Sequence, residues 1–236
     1  MTDNNVNSLL SENLPVFALD TCILLDVVRA TDGVDSHRLS QQCKQDSGKT
    51  MRVVLFDQVL REFWNNLPSV AANSRKACTA SLPGTYEHHL WQQLKTDSYV
   101  SDSPGDPVSM LVQDGNDLVA TACAIIADQE VYRRANDRIN AGIRPARQIN
   151  RSPGDCIILE SLLSLADTLR AGGFQKDIVF VSRNYGEFSE SKRSRHLPYH
   201  GWSGAFQRLN ILYLIDFPSI FNPATIAQAK KDQNIK

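Results

Sequence analysis

The sequence has almost no net charge. Its 25 lysines and arginines face 26 aspartates and glutamates over 236 residues, a formal balance of −1. Global charge therefore says nothing for or against a polyanionic partner, and any cationic footprint has to be local. Paired cysteines are also lacking. Cys22, Cys43, Cys78, Cys123 and Cys156 are odd in number, scattered, and without a Cys-x-x-Cys. That pattern excludes a disulfide framework and a cysteine zinc site, and it fits a reducing cytoplasm. No long hydrophobic run is present. The longest, "LVATACAIIA" from Leu118, is ten residues, about half of what a membrane span needs. The opening "MTDNNVNSLLSENLP" has neither the basic start nor the apolar core of a signal peptide, and its "VNSLL" is too short to count as an interaction helix. Internal repeats and low-complexity segments are missing too.

Several chemistries fall away with these absences. No Gly-x-Gly-x-x-Gly follows a strand-like run, so a dinucleotide site is unsupported. "SGKT" at Ser47 to Thr50 hints at a phosphate-binding loop, but the pattern needs glycine at position 43, which is Cys43, and the segment precedes a strand when it should follow one. An aspartyl-nucleophile phosphatase would want a second Asp two residues after Asp20, where Cys22 stands. His88-His89 is too isolated to read as a zinc site.

What the chain does have is four short, continuously apolar runs. They are Val16 to Leu19, Val53 to Phe56, Ile178 to Val181, and "LNILYLIDF" from Leu209. Unbroken runs suit strands covered on both faces. Helical patterns lie between them: residues 20–30, residues 57–66 with Asp57 as a candidate N-cap, and Val108 to about Asn140 as one or two helices, with a break near Asp114-Gly115. "SPGDCIILESLLSLADTLRAGG" runs from a start signal (Ser152 as cap, Pro153 in the first turn) to a Gly172-Gly173 stop. Strands alternating with helices predict an α/β fold with three α/β/α layers around a parallel sheet. Ligands in such sheets sit beyond the carboxyl ends of the strands.

That rule singles out polar residues just past the runs. Asp20 follows the first, Asp57 and Glu62 the second, and Asn184 and Glu187 the third, while Asp155 lies in the first turn of the helix before the third run. Each has a structural explanation: helix capping for Asp20, an exposed surface acid for Glu62, and a near capping box with Ser152 for Asp155. Gathered at one rim, the carboxylates would repel one another unless a cation lay between them, and Mg²⁺ or Mn²⁺ is the usual resolution for hard oxygen ligands.

"VFALDTCILLDVVR", "VVLFDQVLREFW", "SPGDCIILES" and "DIVFVSRNYGEFS", taken in that order, resemble successive motifs of the PIN-domain nucleases. The resemblance implies a metal-dependent nuclease, acting chiefly on RNA, whose acidic cluster falls on Asp20, Glu62 and Asp155 as ligands of Mg²⁺ or Mn²⁺, with Thr21 in support. The family's fourth acid is replaced by Asn184, and Glu187 and Glu160 stand in reserve. Asn184 in an acidic position also admits the alternative, a non-catalytic PIN-like module that binds RNA or a protein. An inhibitory, antitoxin-like partner and self-association are further implications, and no membrane is implied. The chain is longer than a typical member, so it is expected to be one domain, 1–236, with a helical insertion over about 66–150.

A carboxylate cluster cannot hold a phosphate backbone unaided, so cations are expected nearby. "RRANDRINAGIRPARQINR", Arg133 to Arg151, carries six arginines, including Arg144, Arg147 and Arg151, against one acid, Asp137. "SKRSRHLPYHGW" sets Lys192, Arg193 and Arg195 beside Tyr199 and Trp202, a mixture that suits single strands. Arg183, next to Asn184, completes the candidate nucleic-acid contacts.

Overall fold

The computed structural model describes residues 3–29, 34–83, 86–100, 105–146 and 152–235. In chain order the elements are α1 (Asp3–Glu12), β1 (Val16–Leu19), α2 (Thr21–Arg29), α3 (Val34–Asp46), β2 (Arg52–Phe56), α4 (Asp57–Ala80), α5 (Tyr86–Val100), α6 (Pro107–Thr121), β3 (Cys123–Ile125), α7 (Gln129–Asn140), α8 (Pro153–Ala171), β4 (Ile178–Val181), α9 (Tyr185–Phe188), α10 (His200–Leu209), β5 (Ile211–Leu214), a 3-10 turn (Pro218–Phe221) and α11 (Pro223–Asp232). The strands form one all-parallel sheet in the order β3-β2-β1-β4-β5. Every residue of β1, β4 and β5 is buried, which explains why these runs show no alternation.

Two helical layers cover the sheet. α2, α3, α4 and α6 pack on one another, while α8 gathers α1, α7 and α10. The short α1 is part of this packing, with Val6 and Leu9 buried in the core and Leu10 against Gly172. From central β1 the chain steps outward to β2 and β3, then returns to lay β4 on the other side of β1. That reversal is a topological switch point, where a parallel sheet opens a crevice at its carboxyl edge.

The structure corrects three local expectations. The 108–140 pattern is not helical throughout. α6 runs unbroken through Asp114-Gly115, and the chain turns extended at Ala122 to form β3, paired to β2. An apolar stretch as short as "CAII" fits helix or strand equally, and the free edge of β2 decides. So the segment expected to be a helical insertion also contributes a strand. Asp114 is buried and takes hydrogen bonds from Gln41 Nε2 and a contact with His37 Nδ1, both at 2.6 Å. Gly115 is the point of close approach: a Cβ there would stand 3.2 Å from Phe63 and 3.4 Å from Val28.

Secondly, Asp57 does not cap α4. The cap position is Phe56, and the Asp57 carboxylate accepts from Ala127 N and Tyr132 Oη, both at 3.2 Å, tying the β3–α7 loop to α4. Thirdly, Ser152 stands at the cap position of α8 at φ 27° but makes no side-chain cap bond; its hydroxyl serves the Asp155 carboxylate.

At the far edge, no strand among the described residues pairs with the outer side of β5. The side-chain amide of Gln233, past α11, takes that place: Tyr213 N donates to Gln233 Oε1 at 2.9 Å, and Gln233 Nε2 donates to Tyr213 O at 2.8 Å.

Candidate active site

Backbone bonding fixes the site before any side chain is considered. Asp20 N donates to Val181 O at 3.0 Å, extending the β1–β4 ladder one residue past β1. Ser182 N does the same toward Leu214 O. Asp20 and Ser182 therefore stand side by side at the switch point. Ser182 Oγ donates to Asp20 Oδ2 at 2.6 Å, and Thr21 N donates to Asp20 Oδ1 at 2.7 Å. The Cys22 thiol, 3.2 Å from Oδ2, adds a weaker bond. Asp20 is only 3% exposed. Burial raises its pKa most, the Ser182, Cys22 and Thr21 hydrogen bonds oppose that rise, and the charge of Glu62 adds to it.

Glu62 arrives from α4. Thr21 Oγ1 donates to its Oε2 and Gln58 Nε2 to its Oε1, both at 2.7 Å. The fit against α8 is close enough that a Cβ on Gly154 would lie 2.0 Å from Glu62 Oε1. Asp155 follows Gly154 and faces Asn184, whose Nδ2 lies 3.3 and 3.4 Å from its two oxygens. Burial, and then the charges of Asp20, Glu62 and Glu187, push the Asp155 carboxyl up to about 7. These residues line one cleft of about 440 Å³, whose rim carries Asp26, Arg29 and Arg183.

The structure thus brings Asp20, Glu62, Asp155 and Asn184 to one place, with Thr21 bonded to Glu62 as a supporting residue. Of the two reserves, Glu187 is buried and near enough to act on Asp155. Glu160 is not in the cleft. It is a buried ion-pair centre held by Arg134 Nε at 3.0 Å and by Arg138 Nη2 at 2.5 Å.

That pairing extends to the basic segment. Arg133 bonds Glu130 and Asp137, Arg134 and Arg138 bond Glu160, and Arg144 donates to Ser189 O while lying over the Tyr199 ring. Several of these charges are thus paired, on the surface by Glu130 and by Asp137 of the segment itself, and by the buried Glu160 from outside it. Arg147 and Arg151 fall outside the described residues. Lys192 and Arg193 are exposed in the loop after α9, away from the cleft lining. Arg183 does line the cleft, with Nη1 2.9 Å from Asp26 Oδ2.

Four contributors escaped the sequence reading. Ser182 follows β4 as Asp20 follows β1, so the strand-end rule could have found it. Gln58 precedes Glu62 by four residues, the helical neighbour spacing. The Asp26–Arg29 pair is an ordinary i, i+3 pair with nothing to mark it. Gly154 gives no sign of its close approach until α4 and α8 are seen together.

Among the described residues, no three His, Cys, Asp or Glu side chains are gathered tightly enough to hold a metal ion by themselves. The donor chemistry nevertheless fits a hard divalent cation. Asp155 is buried and also faces the charges of Asp20, Glu62 and Glu187, which the Ser152 hydrogen bond offsets only in part, and Mg²⁺ characteristically keeps several waters, contacting only one or two carboxylates directly.

A family model described as a PIN domain matches residues 18–188, well over half of the chain. No curated protein and no solved structure gives a match. The matched span opens within β1 and closes with α9, so it takes in Asp20, Glu62, Asp155 and Asn184. PIN domains are generally nucleases, and this chain belongs to the PIN domain family.

Proposed function

We propose that the protein is a divalent-cation-dependent endoribonuclease working at the β1–β4 switch point. The observation that carries this reading is the convergence of Asp20, Glu62 and Asp155 on one cleft, where burial first and then the charges of Asp20, Glu62 and Glu187 raise the Asp155 carboxyl to about 7, an imbalance that Mg²⁺ or Mn²⁺ would relieve. Asp20, Glu62 and Asp155 would hold the cation. A cation there supplies stabilisation of phosphoryl charge and a more acidic water.

The residues themselves divide the work by how firmly each is held. Asp20 is fixed by Thr21 N and Ser182 Oγ on separate oxygens, and Glu62 by Thr21 and Gln58. Both are positioned acceptors with little freedom. Asp155 has the Ser152 hydroxyl and long contacts from Asn184, the loosest hold of the three, so it is the carboxylate suited to orient the attacking water and take its proton. Asn184 supplies an amide where the family has an acid, which keeps Asp155 aligned while adding no charge.

The chain is read as one domain whose 66–150 segment is a largely helical insertion. Five free cysteines suit a cytoplasmic setting, and among the described residues no helix is long and apolar enough to cross a membrane. A second reading, a non-catalytic RNA-binding module, draws on Asn184 and on the loose spacing of the acids.

Cleavage of end-labelled single-stranded RNA tests the two together, run with Mn²⁺, with EDTA, and with Asp20→Asn. Mn²⁺-dependent products that vanish in the variant support the nuclease. Equal silence of wild type and variant across RNA and DNA substrates supports the module.

A further inference from the structure

We infer that a single nucleic-acid strand runs out of the acidic cleft past Arg29 and along one face of α4, with Arg29 as the phosphate clamp at the junction. The inference rests on the nuclease reading of the cleft but concerns a surface outside it. A second hollow, of about 420 Å³, lies beside the cleft and shares one lining residue with it, Arg29. Its other polar lining comes mainly from Asn66, Ser69 and Asn73. With Glu62 these fall at intervals of four, three and four residues, which is one face of a helix. The α4 face therefore begins with the Glu62 carboxylate in the cleft and continues as uncharged hydrogen-bonding groups as far as Asn73, roughly 16 Å from Glu62 at the helical rise of about 1.5 Å per residue.

The charges are laid out as a strand's phosphates require. The cleft carries Asp20, Asp26, Glu62 and Asp155, whereas the lining of the second hollow contains no acid. A polyanion in this hollow meets a cation at its entrance and amides beyond it. Arg29 is held without being buried: Nη1 is 3.0 Å from Asp26 Oδ1, and the side chain remains 43% exposed. Asp26 binds Arg183 through its other oxygen, so one buried-side acid spaces two guanidinium groups along the rim. Guanidinium forks suit phosphate oxygens, and Asn side chains can bond base edges. An uncharged track with one or two cations suits an open strand, whereas a stiff duplex would demand a broad cationic face.

Binding is measured by fluorescence anisotropy of a fluorescein-labelled single-stranded RNA in EDTA at 50 and 200 mM salt, for wild type, Arg29→Ala and Asn73→Arg, each checked by thermal melt. Arg29→Ala is expected to weaken binding about tenfold and to reduce the salt slope of log K by about 0.7, one phosphate contact on a single strand. Asn73→Arg, at an exposed helix position, is expected to tighten binding and steepen the slope by a similar amount. Variants that both bind as wild type does, or a wild type that binds no strand, overturn the track. Cleavage by wild type with both variants unchanged overturns the track and leaves the nuclease standing. Silence in every cleavage assay, with binding shifted as stated, removes the nuclease reading and supports the track.

Discussion

Adding one methyl group to Gly154 separates the site's chemistry from the fold's stability. In Gly154→Ala the new Cβ would lie 2.0 Å from Glu62 Oε1 and 2.9 Å from Gln58 Nε2. Both atoms are the far ends of flexible side chains, so they give way before the helices do. Restoring ordinary contact moves the Glu62 carboxylate by about 1 Å and breaks or lengthens its 2.7 Å bonds to Thr21 and Gln58. Losing such bonds at a charged group costs about 1.5–3 kcal/mol if nothing replaces them. Water reaches a half-buried carboxylate and restores part of that, and alanine returns up to about 1 kcal/mol in a helix. The net change in stability is therefore about 1 kcal/mol, a melting shift of roughly 2–4 °C for a chain of this size. Misplacing a catalytic group by about 1 Å costs on the order of a hundredfold in rate. Gly154→Ala should then melt almost as wild type does and cleave single-stranded RNA about a hundredfold more slowly. Calorimetry and a single-turnover cleavage assay, run on the same preparation, give the comparison. Wild-type cleavage by this variant would refute the argument that Glu62 acts from the position seen here.

Other expectations follow from the charges. Because the Asp155 pKa is raised in the fold, its contribution to stability is fully present below the ordinary value of 3.8 and is lost as pH rises through about 7. In EDTA the melting temperature of wild type should fall over that window more than that of Asp155→Asn, which should be the more stable by a few degrees at neutral pH. A flat difference between the two would contradict the repulsion. Mn²⁺ at a hundred times its dissociation constant should stabilise wild type by about 2.7 kcal/mol, roughly 5–10 °C by differential scanning fluorimetry, and should leave Asp20→Asn unmoved. Glu160→Ala leaves Arg134 and Arg138 facing a buried gap, at a cost of about 3 kcal/mol. Its melting point should drop by roughly 6–12 °C while cleavage per folded molecule is retained, and a specific loss of cleavage would place Glu160 in the site after all.

Strand ends were the legible part of this sequence. Asp20 and Asn184 could be placed because β1 and β4 are uninterrupted apolar runs with polar residues at their carboxyl ends, and a parallel sheet sends those ends to one rim. β3 was not legible. Three residues, Cys123 to Ile125, carry no period, and only the vacant edge of β2 makes them a strand. The partners of the arginines were hidden for a related reason. Sequence shows Asp137 beside them, whereas Glu160 lies 26 residues after Arg134 and reaches it only through the packing of α7 on α8. Short-range charge counts miss such partners, and Arg29, with an acid three residues before it, looks in sequence like the most ordinary of the cations.

The Gln233 amide on the Tyr213 backbone has a consequence for handling the protein. A parallel sheet that ends in a bare strand offers its unpaired N–H and C=O groups to any extended chain that drifts past. Here a single side chain beyond the last helix works as a removable stopper. Trimming the chain at Asp232, a tidy boundary just after α11, would take the stopper out and turn β5 into a template for strand addition between molecules. Shortened versions intended for crystallisation would self-associate through that edge, and Gln233 is the residue to keep.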